Sequence, residues 1–170
     1  MSNTVLLIHG AFSGGWCFQD FIPVLAARGF DCRAPDLRFH VSGPARDPDP
    51  RLARTSIADY TGDMAELAAS LPDAPIIVGH SMGAVIGQQL AAKGLARALV
   101  LFAPGAPWGI LPSTEDELAL AMGLLQASPF WDKALKPSFE VARKDSLASL
   151  SPDAQRRVFD QFSAESGRAV

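Results

Sequence analysis

Three short apolar runs constrain this chain most: TVLLI at 4–8, PIIV at 75–78 and RALVLF at 97–102. Each is apolar on successive residues and too short for a buried helix, the pattern of a strand covered on both faces. Helical patterns fill the intervals. After a Gly-rich turn, Asp20 can cap a helix bearing Phe21, Ile22 and Leu25, with Pro23 tolerated in its first turn and Gly29 as its stop. A weaker strand follows over 30–35 (FDCRAP), then a polar, proline-rich loop over 40–54. Ser56 and Asp59 have the spacing of a capping box, opening a helix that aligns Tyr60, Met64, Leu67 and Leu71 on one stripe. PIIV is followed by a helix from about Met82 to Lys93, with Val85, Ile86 and Leu90 on its buried side. The order β-α-β-α-β-α-β predicts a parallel sheet of about four strands with helices on both faces.

The alternation stops at Ala103. Beyond it the pattern predicts helices over about 114–127, 138–148 and 152–165, the last started by Ser151 at the cap and Pro152 at the first helical position. This divides the chain into a sheet-bearing core, 1–103, and a helical cap or lid, 104–170, over one end of the sheet.

Composition excludes several functions. The 170 residues carry a formal charge of −3, and no cluster of Lys and Arg exceeds two, so nucleic acid is not an expected partner. No apolar stretch approaches the ~20 residues that span a bilayer, and the N-terminus has no basic segment before its short apolar run. The expectation is a soluble cytoplasmic protein without membrane contact. Cys17 and Cys32 form no CxxC and have no His at metal-ligand spacing, so they read as reduced, buried thiols, and neither metal nor cofactor is expected.

The chemistry is carried by Gly79-His80-Ser81-Met82-Gly83, a G-x-S-x-G run with a strand before it and a helix after it. A turn that sharp strains the backbone of Ser81, and side chains two residues to either side would collide with neighbouring backbone. Gly79 and Gly83 remove those atoms. The serine Oγ is thereby raised at a helix N-terminus, whose dipole favours developing negative charge. Acyl transfer also needs donors aimed at the oxyanion. The Met82 N–H supplies one, and the loop His9-Gly10-Ala11-Phe12-Ser13-Gly14-Gly15 after the first strand is placed to supply another, with the small Ala11 allowing substrate to approach.

HGAFSGGWCF, followed by APDLRFH and VGHSMGAVI, resembles the N-terminal half of an α/β-hydrolase-fold protein, and its first segment is similar to the methylesterase and hydroxynitrile-lyase branch. The resemblance implies an α/β-hydrolase fold, Ser81 as nucleophile, Ala11 and Met82 as oxyanion donors, and a helical cap after the fourth strand. A serine at position 81 also argues against the branches that use an aspartate nucleophile.

The resemblance implies a triad in the order Ser, acid, His. The three histidines here, His9, His40 and His80, all precede Ser81, and LFAPGAP at the end of the fourth strand offers no carboxylate. His80 is expected to turn into the fold, His9 to brace the oxyanion loop and His40 to support its own turn. The cap carboxylates, Glu165 among them, form no relay without an orienting His. The expectation is therefore an incomplete hydrolase: the C-terminal strands, acid and His absent, and the fourth strand left as an exposed sheet edge.

Phe12, Trp108 and Leu111 are the candidate pocket residues. With no basic cluster to grip phosphate or a second carboxylate, a small or medium uncharged ester is the expected substrate. A lyase, C–C hydrolase or cofactor-free peroxidase would share the same first half, and a non-catalytic small-molecule binding module of this fold is the reading from another class.

Overall fold

The computed structural model describes residues 3–43, 46–106, 110, 111, 114, 118 and 129–170. Its centre is a parallel sheet of β1 (Thr4–Ile8), β2 (Asp31–Arg33), β3 (Ile76–His80) and β4 (Ala98–Phe102), in the order β2-β1-β3-β4. Register runs from Val5↔Ile76 to Ile8↔Gly79, and from Ile76↔Ala98 to His80↔Phe102. The carboxyl ends of β1, β3 and β4 therefore finish side by side.

β1 shows why a continuous apolar run is needed at the centre. Successive side chains point to opposite faces. Leu6 and Ile8 join Tyr60, Met64, Ile86 and Leu90 in one core, while Val5 and Leu7 join Phe18 and Val78 in another. The first core lies under α2 (Ile57–Ala69) and α3 (Met82–Ala92), the second under α1 (Phe21–Ala26). α2 starts at the expected capping box: Ser56 Oγ accepts from the Asp59 N–H at 3.3 Å, and an Asp59 oxygen accepts from the Ser56 N–H at 2.8 Å. α1 follows Asp20, whose side chain makes no cap hydrogen bond, and Gly29 closes the turn after it at φ 83°. β4 is an edge strand, bonded only to β3 among the described residues, as expected.

Beyond β4 the structure corrects the all-helical expectation. Ala134–Leu135 (β5) pairs antiparallel with Glu165–Ser166 (β6). The helix expected over 138–148 shortens to α4, Phe139–Ala142, followed by turns. The helix expected to reach 165 ends at Phe159, as α5, Pro152–Phe159, with Ser151 Oγ accepting from the Ala154 N–H at its start. The chain leaves α5 because Ser163 and Glu165 have partners elsewhere in the fold. The helix expected over 114–127 lies largely outside the described residues, within which the Leu118 N–H bonds the Thr114 carbonyl at 3.0 Å. Cys17 and Cys32 are free thiols, half-buried rather than buried.

Candidate functional site

Backbone strain concentrates at one end of the sheet. Four non-glycine residues have positive φ among the described residues: Phe12 at 60°, Phe39 at 64°, Ser81 at 53° and Ala103 at 40°. Each follows the carboxyl end of a different strand, β1, β2, β3 and β4 in turn. Such conformations cost about 1–3 kcal/mol each and persist only where the surroundings over-determine them. This end of an open parallel sheet is also where ligands bind in α/β proteins.

Ser81 sits at the N-cap of α3 with ψ −119°, half-buried. Its N–H donates to Phe102 O at 3.0 Å, and its carbonyl accepts from the Ala84 and Gly105 N–H groups at 3.0 and 3.1 Å. The backbone is thus pinned between α3 and the end of β4, while no described group hydrogen-bonds its hydroxyl. The flanking glycines are sterically required. A Cβ on Gly79 would lie 2.5 Å from Gly83 O and 2.6 Å from Ala84 Cα. One on Gly83 would overlap the carbonyl oxygens of Ile8 and His9, so the first turn of α3 rests directly on the end of β1. Met82, the first residue of α3, is buried beneath the same turn.

The loop after β1 passes against this serine. A Cβ on Gly10 would lie 2.9 Å from Ser81 Cβ and 3.1 Å from His80 Nδ1. Ala11 packs half-buried on the core that contains Met82, and Phe12 follows it in the left-handed conformation. The loop is held from beneath. The Gly15 N–H donates to Asp36 Oδ1 at 2.7 Å. His9, fully buried, donates from Nδ1 to Gly10 O at 2.9 Å and accepts the Leu37 N–H at Nε2 at 3.0 Å. That pattern requires a neutral ring. Burial, reinforced by the charge of His40, lowers its pKa to about 4. His9 therefore ties the loop after β1 to the loop after β2, the bracing role expected of it. His80 is a correction: it is exposed at the end of β3 rather than turned into the fold. Leu111 stands 83% exposed, and Trp108 lies outside the described residues.

A second polar cluster lies beside His9. His40, in T-shaped contact with His9 at 5.0 Å between centroids, donates from Nδ1 to Arg38 O and from Nε2 to Glu165 Oε2 at 2.9 Å. Glu165 is fully buried, and its Oε1 accepts from Tyr60 OH and from the Ser166 N–H, both at 2.7 Å. Burial alone would lower the His40 pKa, but the bond to the Glu165 carboxylate outweighs it and raises the value. Burial and the same carboxylate push the Tyr60 phenol upward. Removing either charged partner would strand the other, at about 3–5 kcal/mol. The supporting turn expected of His40 is present, but its pairing with Glu165 was not foreseen. The partners are 125 residues apart, and the only local sign is one carboxylate in the FSAESG run.

A family model described as the alpha/beta hydrolase family matches residues 5–169. The chain belongs to this family. Its curated relatives include a pyrethroid hydrolase of Sphingobium wenxiniae, 35% identical over 79 residues, which are 46% of this chain and 27% of that protein. Methylesterase 3 of Arabidopsis thaliana is 36% identical over 84 residues, 46% of this chain and 30% of that protein. The matched stretch thus spans less than a third of either relative's length. A crystallised methylesterase from Arabidopsis superposes with a TM-score of 0.68 at 17% identity, covering 97% of this chain and 67% of that one, a likeness of fold. As in these alpha/beta hydrolases, a parallel sheet flanked by helices carries the chain's strand-turn-helix at Ser81.

Proposed function

We propose that this alpha/beta hydrolase carries the nucleophile and oxyanion hole of a serine carboxylic-ester hydrolase. One observation carries the reading: Ser81 is held at φ 53° between β3 and α3, its hydroxyl without a hydrogen-bond partner among the described residues and the Gly10–Ala11 backbone against it. Ser81 Oγ bonds the ester carbonyl carbon as its proton passes to a base. The Ala11 and Met82 N–H groups hold the oxyanion. The C–O bond to the alcohol then breaks, the alcohol leaves with that proton, and water releases the acid by the same route.

None of the three histidines is set to act as that base. His9 and His40 have both ring nitrogens engaged, so neither has a lone pair free for the Ser81 proton. His80 adjoins Ser81 in the turn and stands exposed, with no carboxylate among the described residues bonded to orient it. The uncharged-ester substrate rests on the absence of a basic cluster and on relatives named pyrethroid hydrolase and methylesterase. Phe12, at the lip of the oxyanion loop, and Trp108 and Leu111, beyond β4 in the proposed lid of residues 104–170, are the proposed pocket side chains.

Labelling with a fluorophosphonate tests the reading. Full-length protein is expected to be modified at Ser81, and Ser81→Ala to lose the modification entirely. The 170-residue chain alone is expected to turn over p-nitrophenyl acetate at the background rate. Full-length protein left unlabelled beside a labelled control esterase would instead make this a binding module.

A further inference from the structure

The segment after α5 returns across the loop that carries Ala11. The Ser163 N–H donates to Phe12 O at 3.0 Å, and Ser163 Oγ donates to Ser13 O at 3.0 Å. Ser163 is 1% exposed, so its own end of both bonds is sheltered from water. Its neighbours fasten the segment on either side. The Phe162 carbonyl accepts from the Gly43 N–H at 2.8 Å, and the Phe162 ring meets the Trp16 ring at 6.1 Å. Two residues on, Glu165 is locked by His40 and Tyr60. Ser166 Oγ bonds Thr55 O, and its own oxygen accepts from the Arg168 N–H at 3.2 Å.

The loop is thus gripped from two sides. Asp36 and His9 hold Gly15 and Gly10 from the sheet, and Ser163 holds the Phe12 and Ser13 carbonyls from above. Phe12, at φ 60°, lies between Gly10 and Gly15 and is itself held by Ser163. A bulky side chain has no intrinsic reason to take that conformation, so neighbouring contacts must impose it. Ala11 is the next residue toward Ser81, and the direction of its N–H follows the course of this loop.

We infer that Ser163 is a positioning residue for the reaction at Ser81: it clamps the Phe12 and Ser13 carbonyls and so fixes the Ala11 N–H as an oxyanion donor. This rests on the esterase reading of Ser81. Ser163 touches neither substrate nor nucleophile. Its effect falls on the transition state, where a misplaced donor matters, and little on ground-state binding.

The experiment uses full-length protein with Ser163→Ala, Ser163→Cys and, as a control, Ser166→Ala. Ser166 donates a hydroxyl from the same segment, but to Thr55 rather than to the loop. Amide hydrogen exchange is read at residues 10–16, and kcat and KM with p-nitrophenyl acetate. Ser163→Ala, which removes the hydroxyl bond to Ser13 O and keeps the N–H bond to Phe12 O, is expected to speed exchange across the loop about tenfold and to lower kcat by about 10–100-fold with KM within about twofold. Cysteine, a weak donor of similar shape, is expected to fall between serine and alanine and covers the case in which alanine does not fold. Ser166→Ala is expected to leave both readouts near wild type. Equal effects of Ser163→Ala and Ser166→Ala would overturn the inference, as would unchanged exchange in Ser163→Ala. If wild-type protein shows no labelling at Ser81, the esterase reading fails and the catalytic role of Ser163 with it. Exchange then still decides whether Ser163 holds the loop.

Discussion

β1 and β4 are five-residue parallel strands of nearly interchangeable sequence, TVLLI and ALVLF, yet they live in opposite environments. Every residue of β1 is buried. It has a strand on each side, α2 and α3 over one face and α1 over the other. β4 has one neighbour among the described residues, and Val100, Leu101 and Phe102 are 41%, 37% and 43% exposed. Among the described residues Phe102 makes a ring contact with Phe21, itself 47% exposed. Local sequence makes both strands. What differs is the number of partners the rest of the chain brings to each, and an apolar run such as LVLF is written for two.

The largest expected effect tests this difference directly. Leu6→Ala, in the middle of β1, removes a fully buried side chain from the core shared with Ile77, Ile86 and Leu90. It should lower the unfolding free energy by about 2–5 kcal/mol, read by urea denaturation. Leu101→Ala, the same change on β4, should cost about 1 kcal/mol or less because much of that side chain already meets water. Equal losses would mean that β4 is covered as well as β1, and the contrast would fail.

A smaller effect distinguishes the ends of the two strands. β1 runs into His9, a neutral imidazole buried against His40, Glu165 and Asp36, whereas β4 runs into Ala103 and no titrating group. The folded protein holds the His9 pKa near 4 against an ordinary 6.5. Between those values the unfolded chain binds more protons, so stability falls as pH drops from 6.5 toward 4, by up to ~3 kcal/mol at this residue. His40 has the opposite sign. Its raised value gives a contribution that is full below pH 6.5 and is lost as pH rises through the folded value. Urea midpoints for wild type and His9→Gln at pH 4.5 and 6.5 isolate the first effect. The drop on acidification should be smaller in the variant, and identical drops would show that His9 is not held neutral by its burial.

How far the site could be read in advance follows the same division between local and distant partners. The turn at Ser81 was legible because its requirements sit within five residues. Gly79 and Gly83 stand where side chains would strike Ala84 and the end of β1, and any sequence making that turn must show them. His9 was legible for a similar reason, being adjacent to the loop it braces. Ser163 and Glu165 were not. Their partners, Phe12, Ser13, His40 and Tyr60, lie more than a hundred residues earlier, and helical spacing through 152–165 continues past the point where those contacts end α5. Hydrophobic periodicity reports what one element buries against its neighbours. It is silent about a buried carboxylate that completes a hydrogen-bond set contributed by α2 and the loop after β2. The position of β4 at the edge was legible only by counting strands, since nothing within LVLF marks it.

The smallest expected effect on stability has the clearest consequence for the edge. The outer side of β4 offers a row of backbone N–H and C=O groups beside exposed Val100, Leu101 and Phe102, a template on which another strand can pair. A lysine at such a position costs little where water already reaches, and its charge opposes edge-to-edge pairing. Val100→Lys should therefore shift the urea midpoint by about 0.5 kcal/mol equivalent or less. Over the same range it should reduce concentration-dependent self-association of the 170-residue chain, measured by light scattering. The matched change on β1, Leu7→Lys, places the charge among Val5, Phe18 and Val78 and should prevent folding. If Val100→Lys unfolds the chain as Leu7→Lys does, β4 is an interior strand in solution. If it leaves self-association untouched, the exposed edge is not where copies of the chain meet, and the apolar surface of β4 is covered by something other than a second copy.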